Sequence, residues 1–73
     1  MGILTKRESE VLEFIKDYMR TTGIVPTMIE IGHGTNMSTK AANNHFRRLV
    51  DKGYVVQVSD KRYFVKGMKY VEQ

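Results

Sequence analysis

Thr5 and Glu8 stand three residues apart just ahead of a run of periodic apolar residues, and Thr27 and Glu30 repeat the arrangement further along the chain. At this spacing the threonine hydroxyl can accept from a free backbone N–H of a first helical turn while the carboxylate accepts from the cap's own N–H. Two helix starts are therefore marked before any propensity is considered. After the first, Val11, Leu12, Phe14, Ile15, Tyr18 and Met19 fall in one stripe at helical spacing, with Lys6, Glu10, Glu13, Lys16, Asp17 and Arg20 on the other side. Gly23 can take the left-handed conformation that ends a helix. A first helix is expected over about 6–22, its charged outer side solvated.

Pro26 holds Val25 extended. A short second helix is expected over about 28–34, burying Ile31 and one of Met28 or Ile29. Gly32 and Gly34 weaken it by about 1 kcal/mol each against alanine. The stretch GHGTN reads as a turn in which Asn36 tolerates positive φ. Ser38 or Thr39 caps a third helix over about 39–52, with Ala42, His45, Phe46, Leu49 and Val50 on its apolar side and Gly53 stopping it. The period then changes. Tyr54–Val58 and Arg62–Lys66 are β-rich runs around a polar turn at Ser59–Lys61, a hairpin over about 54–66 closed by Gly67, with a tail at 67–73. The order predicts an α+β fold in one domain, 1–73: a three-helix winged helix-turn-helix with a C-terminal two-stranded β-hairpin wing.

Charge is distributed unevenly. Residues 1–37 hold four basic and five acidic groups, whereas residues 38–69 hold eight basic groups and two acidic ones. A neutral half joined to a basic half is a footprint of polyanion binding. The chain has no cysteine, which excludes disulfides and thiolate metal sites and is compatible with a reducing compartment. No apolar run approaches a membrane span of about 18 residues, and the N-terminus turns charged at once, unlike a signal peptide.

In a helix-turn-helix the second helix of the motif lies in the major groove and presents side chains near its N-terminus to base edges. Here Lys40, Asn44 and Arg47 point most directly away from the apolar stripe, with Asn43 and Arg48 at its borders. Asparagine can pair bidentately with adenine, and lysine or arginine can reach guanine O6 and N7. Ala41 is small enough for the helix backbone to approach closely, and the free N–H groups around Ser38 and Thr39 favour a phosphate. An ordinary solvated helix face carries glutamate as well; between Lys40 and Arg48 there is no acidic residue. Lys61 and Arg62 lie at or beside the hairpin tip and Lys66 further along, where they could meet phosphates or a minor groove.

Other residues carry blander readings. Tyr54, Tyr63, Phe64 and Tyr70 read as core packing and hairpin cross-pairs ahead of base-stacking platforms. His33 and His45 lie in different helices with no carboxylate pattern beside them, so neither reads as a metal ligand or a catalytic base. No nucleophile–base–orienter set and no phosphate-cradling glycine loop is present. An enzyme is not expected, nor a cofactor, a metal or a membrane association.

The stretches LTKRESEVLEFIKDYM, TGIVPTMIEI, KAANNHFRRLVDKGYV and the hairpin to Val65 resemble the N-terminal DNA-binding domain of the LexA repressor family over roughly residues 3–66. The resemblance implies a bacterial or phage transcription factor that reads operator DNA with its third helix. It also implies that the family's base-reading positions correspond to Ser38, Lys40, Ala41, Asn43 and Asn44. Asn43 and Asn44 stand where the family has acidic residues, and Lys40 where it has an amide, so a different operator is expected. The turn IGHGTNMS is about one residue shorter than the family's and lacks its leucine, which predicts an altered second helix and turn. These 73 residues hold no counterpart of the family's C-terminal peptidase and dimerisation domain, so the resemblance implies neither self-cleavage nor that domain's dimerisation for them, and they read as either a free-standing small regulator or an excised domain.

The expectation is thus a sequence-specific regulator of transcription binding double-stranded DNA: a small repressor in the cytoplasm of a bacterial cell or phage-infected host. A homodimer on paired half-sites fits, with Met68, Tyr70 and Val71 as candidate apolar contacts. The alternative is an adaptor docking a protein partner such as a host transcription regulator or polymerase subunit. Structured RNA would need the same basic patch, but nothing in the sequence resembles an RNA-binding module.

Overall fold

A computed structural model describes residues 3–60 and 62–66. Lys61, Gly67 and the tail, with Met68, Tyr70 and Val71, lie outside the described residues. Helix α1 runs Lys6–Thr22, α2 Met28–Thr35 and α3 Thr39–Asp51; strands β1 (Val55–Ser59) and β2 (Arg62–Val65) form an antiparallel hairpin. This is the α+β winged helix-turn-helix expected.

Both capping boxes form. Glu8 N–H donates to the Thr5 hydroxyl at 3.2 Å and Thr5 N–H to Glu8 Oε1 at 3.1 Å; the same exchange joins Glu30 and Thr27 at 3.2 and 2.8 Å. Val11, Leu12, Ile15 and Met19 are buried, while Phe14 and Tyr18 flank them half-buried. The Tyr18 hydroxyl reaches across to Glu30 Oε2 at 2.6 Å and ties α1 to the start of α2.

Helix α2 runs through Gly32 and Gly34 and ends one residue past the expected limit, so the stretch GHGTN is helical as far as Thr35 and within it only Asn36 adopts positive φ, at 58°. Close packing explains the glycines. A Cβ on Gly32 would lie 2.7 Å from the Met37 carbonyl oxygen, and one on Gly34 would enter the ring of Phe14. Gly32 is thus what lets the chain fold back tightly, with Met37 N–H donating to the Gly32 carbonyl at 2.9 Å. Of the two candidates at the front of α2, Met28 is half-buried and Ile29 is 60% exposed.

Ala42, Phe46 and Leu49 seat α3 on the core. Past the helix, Gly53 turns the chain at φ 84°, a left-handed conformation costly for other residues. Tyr54 N–H donates to the Leu49 carbonyl there, and the wing begins. Val55 pairs with Val65, Val56 with Phe64 and Gln57 with Tyr63, and the register shifts between Gln57 and Ser59. Val55, Tyr63 and Val65 face inward and complete the core.

Candidate nucleic-acid interface

Helix α3 differs from the other two at its start. Ser38 is its N-cap, its hydroxyl accepting from Ala41 N–H at 3.1 Å. Where α1 and α2 carry a glutamate to complete the box, α3 has Ala41, and its first turn contains no acid. The partial positive charge of this helix end is therefore left without a carboxylate, an arrangement that favours a phosphate.

Ser38, Thr39, Lys40, Asn43, Asn44, Arg47 and Arg48 are all exposed and Ala41 is half-buried. At 3.6 residues per turn, Lys40, Asn44 and Arg47 form one line down the helix, directly opposite Ala42, Phe46 and Leu49. The core side holds the helix rigid, and no described hydrogen bond ties up the outward amides. Asp51, also exposed, ends the line with a negative charge. Phosphates are thereby favoured at the N-terminal part of α3 over its C-terminal end. Arg48 lies apart from this line, its guanidinium 3.9 Å from the Glu8 carboxylate.

The second wall of the site is the wing. A groove between α3 and β1 is lined by Asn43, Phe46 and Arg47 on one side and Gln57, Val58, Ser59 and Asp60 on the other. Arg62 is exposed at the start of β2. Of the residues expected from sequence, Asn43 and Arg47 meet β1 at this groove; Lys40, Ala41, Asn44, Arg48 and Arg62 do not line it, and Lys61 lies outside the described residues. A second hollow at the helix-turn-helix corner is lined by Ile29, Gly32, His33, Asn36, Met37, Ser38 and Thr39.

Gln57, Asp60, Ile29 and Asn36 were not among the residues picked out by sequence as site candidates. Alternation along β1 could have placed Gln57 on the inward side with Val55. Nothing local could have shown that the core ends before Gln57, leaving it on the groove wall across from Arg47. His45 is half-buried on the apolar side of α3. Tyr63 is buried, with its ring edge-on to Phe46 at 4.6 Å, so it packs in the core. Among the described residues no group of three histidine, cysteine, aspartate or glutamate side chains is placed to hold a metal ion, and no helix is long and apolar enough to cross a membrane.

The family model for the LexA DNA binding domain matches residues 1–62. A LexA repressor of Petrotoga mobilis (strain DSM 10674 / SJ95) is 45% identical over 70 residues, 94% of this chain and 32% of that protein. Similarity also extends to LexA repressors of Glaesserella parasuis serovar 5 (strain SH0165), 39% identical over 57 residues, and Staphylococcus carnosus (strain TM300), 42% over 56 residues. Those matches cover 77% and 75% of this chain and 27% of each relative. The chain thus spans about a quarter to a third of the length of the curated relatives it matches.

Proposed function

Given that the chain belongs to the LexA DNA-binding-domain family, we propose that it is a sequence-specific double-stranded DNA-binding repressor of transcription. The observation that carries this reading is the exposed line of Lys40, Asn44 and Arg47, free of acids as far as Asp51 at the helix end, on a helix whose first turn lacks a carboxylate. Helix α3 enters the major groove. Lys40 and Arg47 reach guanine edges or phosphates, Asn43 and Asn44 reach adenine edges, and Ala41 permits close approach. Ser38 and Thr39 meet a phosphate at the helix start. The wing lies along the backbone or in the minor groove, with Arg62, and Lys61 beside it, on phosphates. One such unit makes few base contacts, so a homodimer on paired half-sites is the form that binds tightly. The setting is the cytoplasm of a bacterium or of a phage-infected cell.

Selection of bound sites from random duplex DNA tests this directly. An enriched motif, above all a palindrome, is expected; recovery of unbiased sequence would overturn the reading.

A second reading, an adaptor for a protein partner, draws on one observation. Val56 is 37% and Phe64 39% exposed, cross-strand partners on the outward side of the wing. Charge reversal separates the two. Lys40→Glu with Arg47→Glu abolishes repression if DNA is the target and leaves regulation intact if a protein is.

A further inference from the structure

Glu8 is the single buried charged side chain among the described residues, at 0% exposure. Its Oε1 takes the Thr5 N–H and, at 2.5 Å, the ammonium of Lys52, which also donates to the Ile3 carbonyl at 2.8 Å. Its Oε2 is enclosed and has no hydrogen-bond partner. The Arg48 guanidinium stands 3.9 Å from that oxygen. A buried carboxylate oxygen without a donor is unfavourable. An approach of about 1 Å would bring the guanidinium to hydrogen-bond length. Arg48 and Lys52 are four residues apart on the α1 flank of α3, roughly a quarter turn from the line of Lys40, Asn44 and Arg47.

We infer that Glu8 is a positioning residue for the interface: its buried carboxylate holds Lys52 and Arg48 on the α1 flank, so that Arg48, although basic and on the recognition helix, faces protein instead of DNA. The cations that α3 offers to phosphates are then Lys40 and Arg47. This inference rests on the DNA-binding reading above. It reassigns Arg48, which the sequence places in the same basic set as Arg47.

The salt dependence of binding counts phosphate-neutralising cations, with log K falling by about 0.9 per log unit of salt for each one, and a purely structural role would not move it. Fluorescence-anisotropy titrations over a salt series, on a duplex recovered by selection, give the slope for each variant. Arg47→Ala reduces the slope by about 0.9, and Arg48→Ala leaves it unchanged. Glu8→Gln releases Arg48 and steepens the slope, and adding Arg48→Ala returns it. A slope reduced by Arg48→Ala as much as by Arg47→Ala overturns the inference, even should Glu8→Gln fail to fold. A folded Glu8→Gln protein with the parent slope overturns it as well. Binding by the parent protein that ignores salt altogether would instead sink the DNA-binding reading, and this inference with it.

Discussion

The hydroxyl of Tyr63, on the second strand of the wing, donates a 2.6 Å hydrogen bond to the carbonyl oxygen of Pro26, just before α2. The bond is buried and spans 37 positions of sequence. Together with the edge-on contact between Tyr63 and Phe46, it joins the wing to α3 and to the segment that leads into α2. The groove between α3 and β1 therefore has two walls held against one core.

Removing that hydroxyl leaves a buried carbonyl without its donor. Tyr63→Phe is expected to destabilise the protein by about 1–3 kcal/mol, seen as a lower urea midpoint with an unchanged m-value. The loss should appear without any change in helix content by far-UV circular dichroism.

The two glycines of α2 should respond differently to alanine. At Gly32 the obstacle is the Met37 carbonyl, part of the backbone, 2.7 Å from the new Cβ. At Gly34 it is the half-buried Phe14 ring, which has rotamers to move into. Helix propensity favours alanine by about 1 kcal/mol at both. Gly32→Ala should nonetheless cost on the order of 1–3 kcal/mol through overpacking and weaken DNA binding by displacing Ser38 and Thr39. Gly34→Ala should be milder and leave DNA affinity near the parent value. Thermal melts and anisotropy titrations of both variants check the contrast.

Stability should depend on pH at both ends. The Lys52 ammonium and then the Thr5 N–H hold the Glu8 carboxyl below its ordinary value of 4.5. The Thr27 N–H and then the Tyr18 hydroxyl do the same for Glu30. A carboxyl lowered in the folded state contributes stability above 4.5 that is lost as pH falls through its folded value. Tyr18 is raised above 10.0, first by its hydrogen bond to Glu30 and then by desolvation, so its contribution holds below 10.0 and is lost as pH rises through the folded value. The melting temperature should therefore be level between these limits and fall outside them. Tyr18→Phe should flatten the alkaline fall and Glu8→Gln part of the acid fall. An acid limb unchanged in Glu8→Gln would contradict the linkage.

Base reading and phosphate contact should separate by mutation. Asn44→Ala is expected to keep the melting temperature and to lose about 1–3 kcal/mol of discrimination between the selected duplex and a shuffled one. Arg62→Ala should weaken binding to both duplexes alike and reduce the salt slope by about 0.9. Competition titrations against labelled duplex distinguish these outcomes.

Short-range pattern by itself determined most of the secondary structure and one face of the site. Capping boxes at Thr5–Glu8 and Thr27–Glu30 and the cap at Ser38 act within one helical turn, so three residues of sequence are enough to place each helix start. The apolar period of α3 likewise put Lys40, Asn44 and Arg47 outward, because a helix converts spacing into direction. What only the tertiary structure decided are the relations between distant segments. Lys52 meets Glu8 across 44 positions, which buries a glutamate that local pattern reads as a cap alone and separates Arg48 from Arg47. The Met37 carbonyl turned Gly32, an apparent helix breaker, into a requirement of α2, and Phe14 packs against Gly34. The wing's angle against α3 brought Gln57 and Asp60 to the groove. Each of these depends on which surfaces meet once the core closes, and the spacing of residues along a chain carries that information only where the interacting groups are neighbours in sequence.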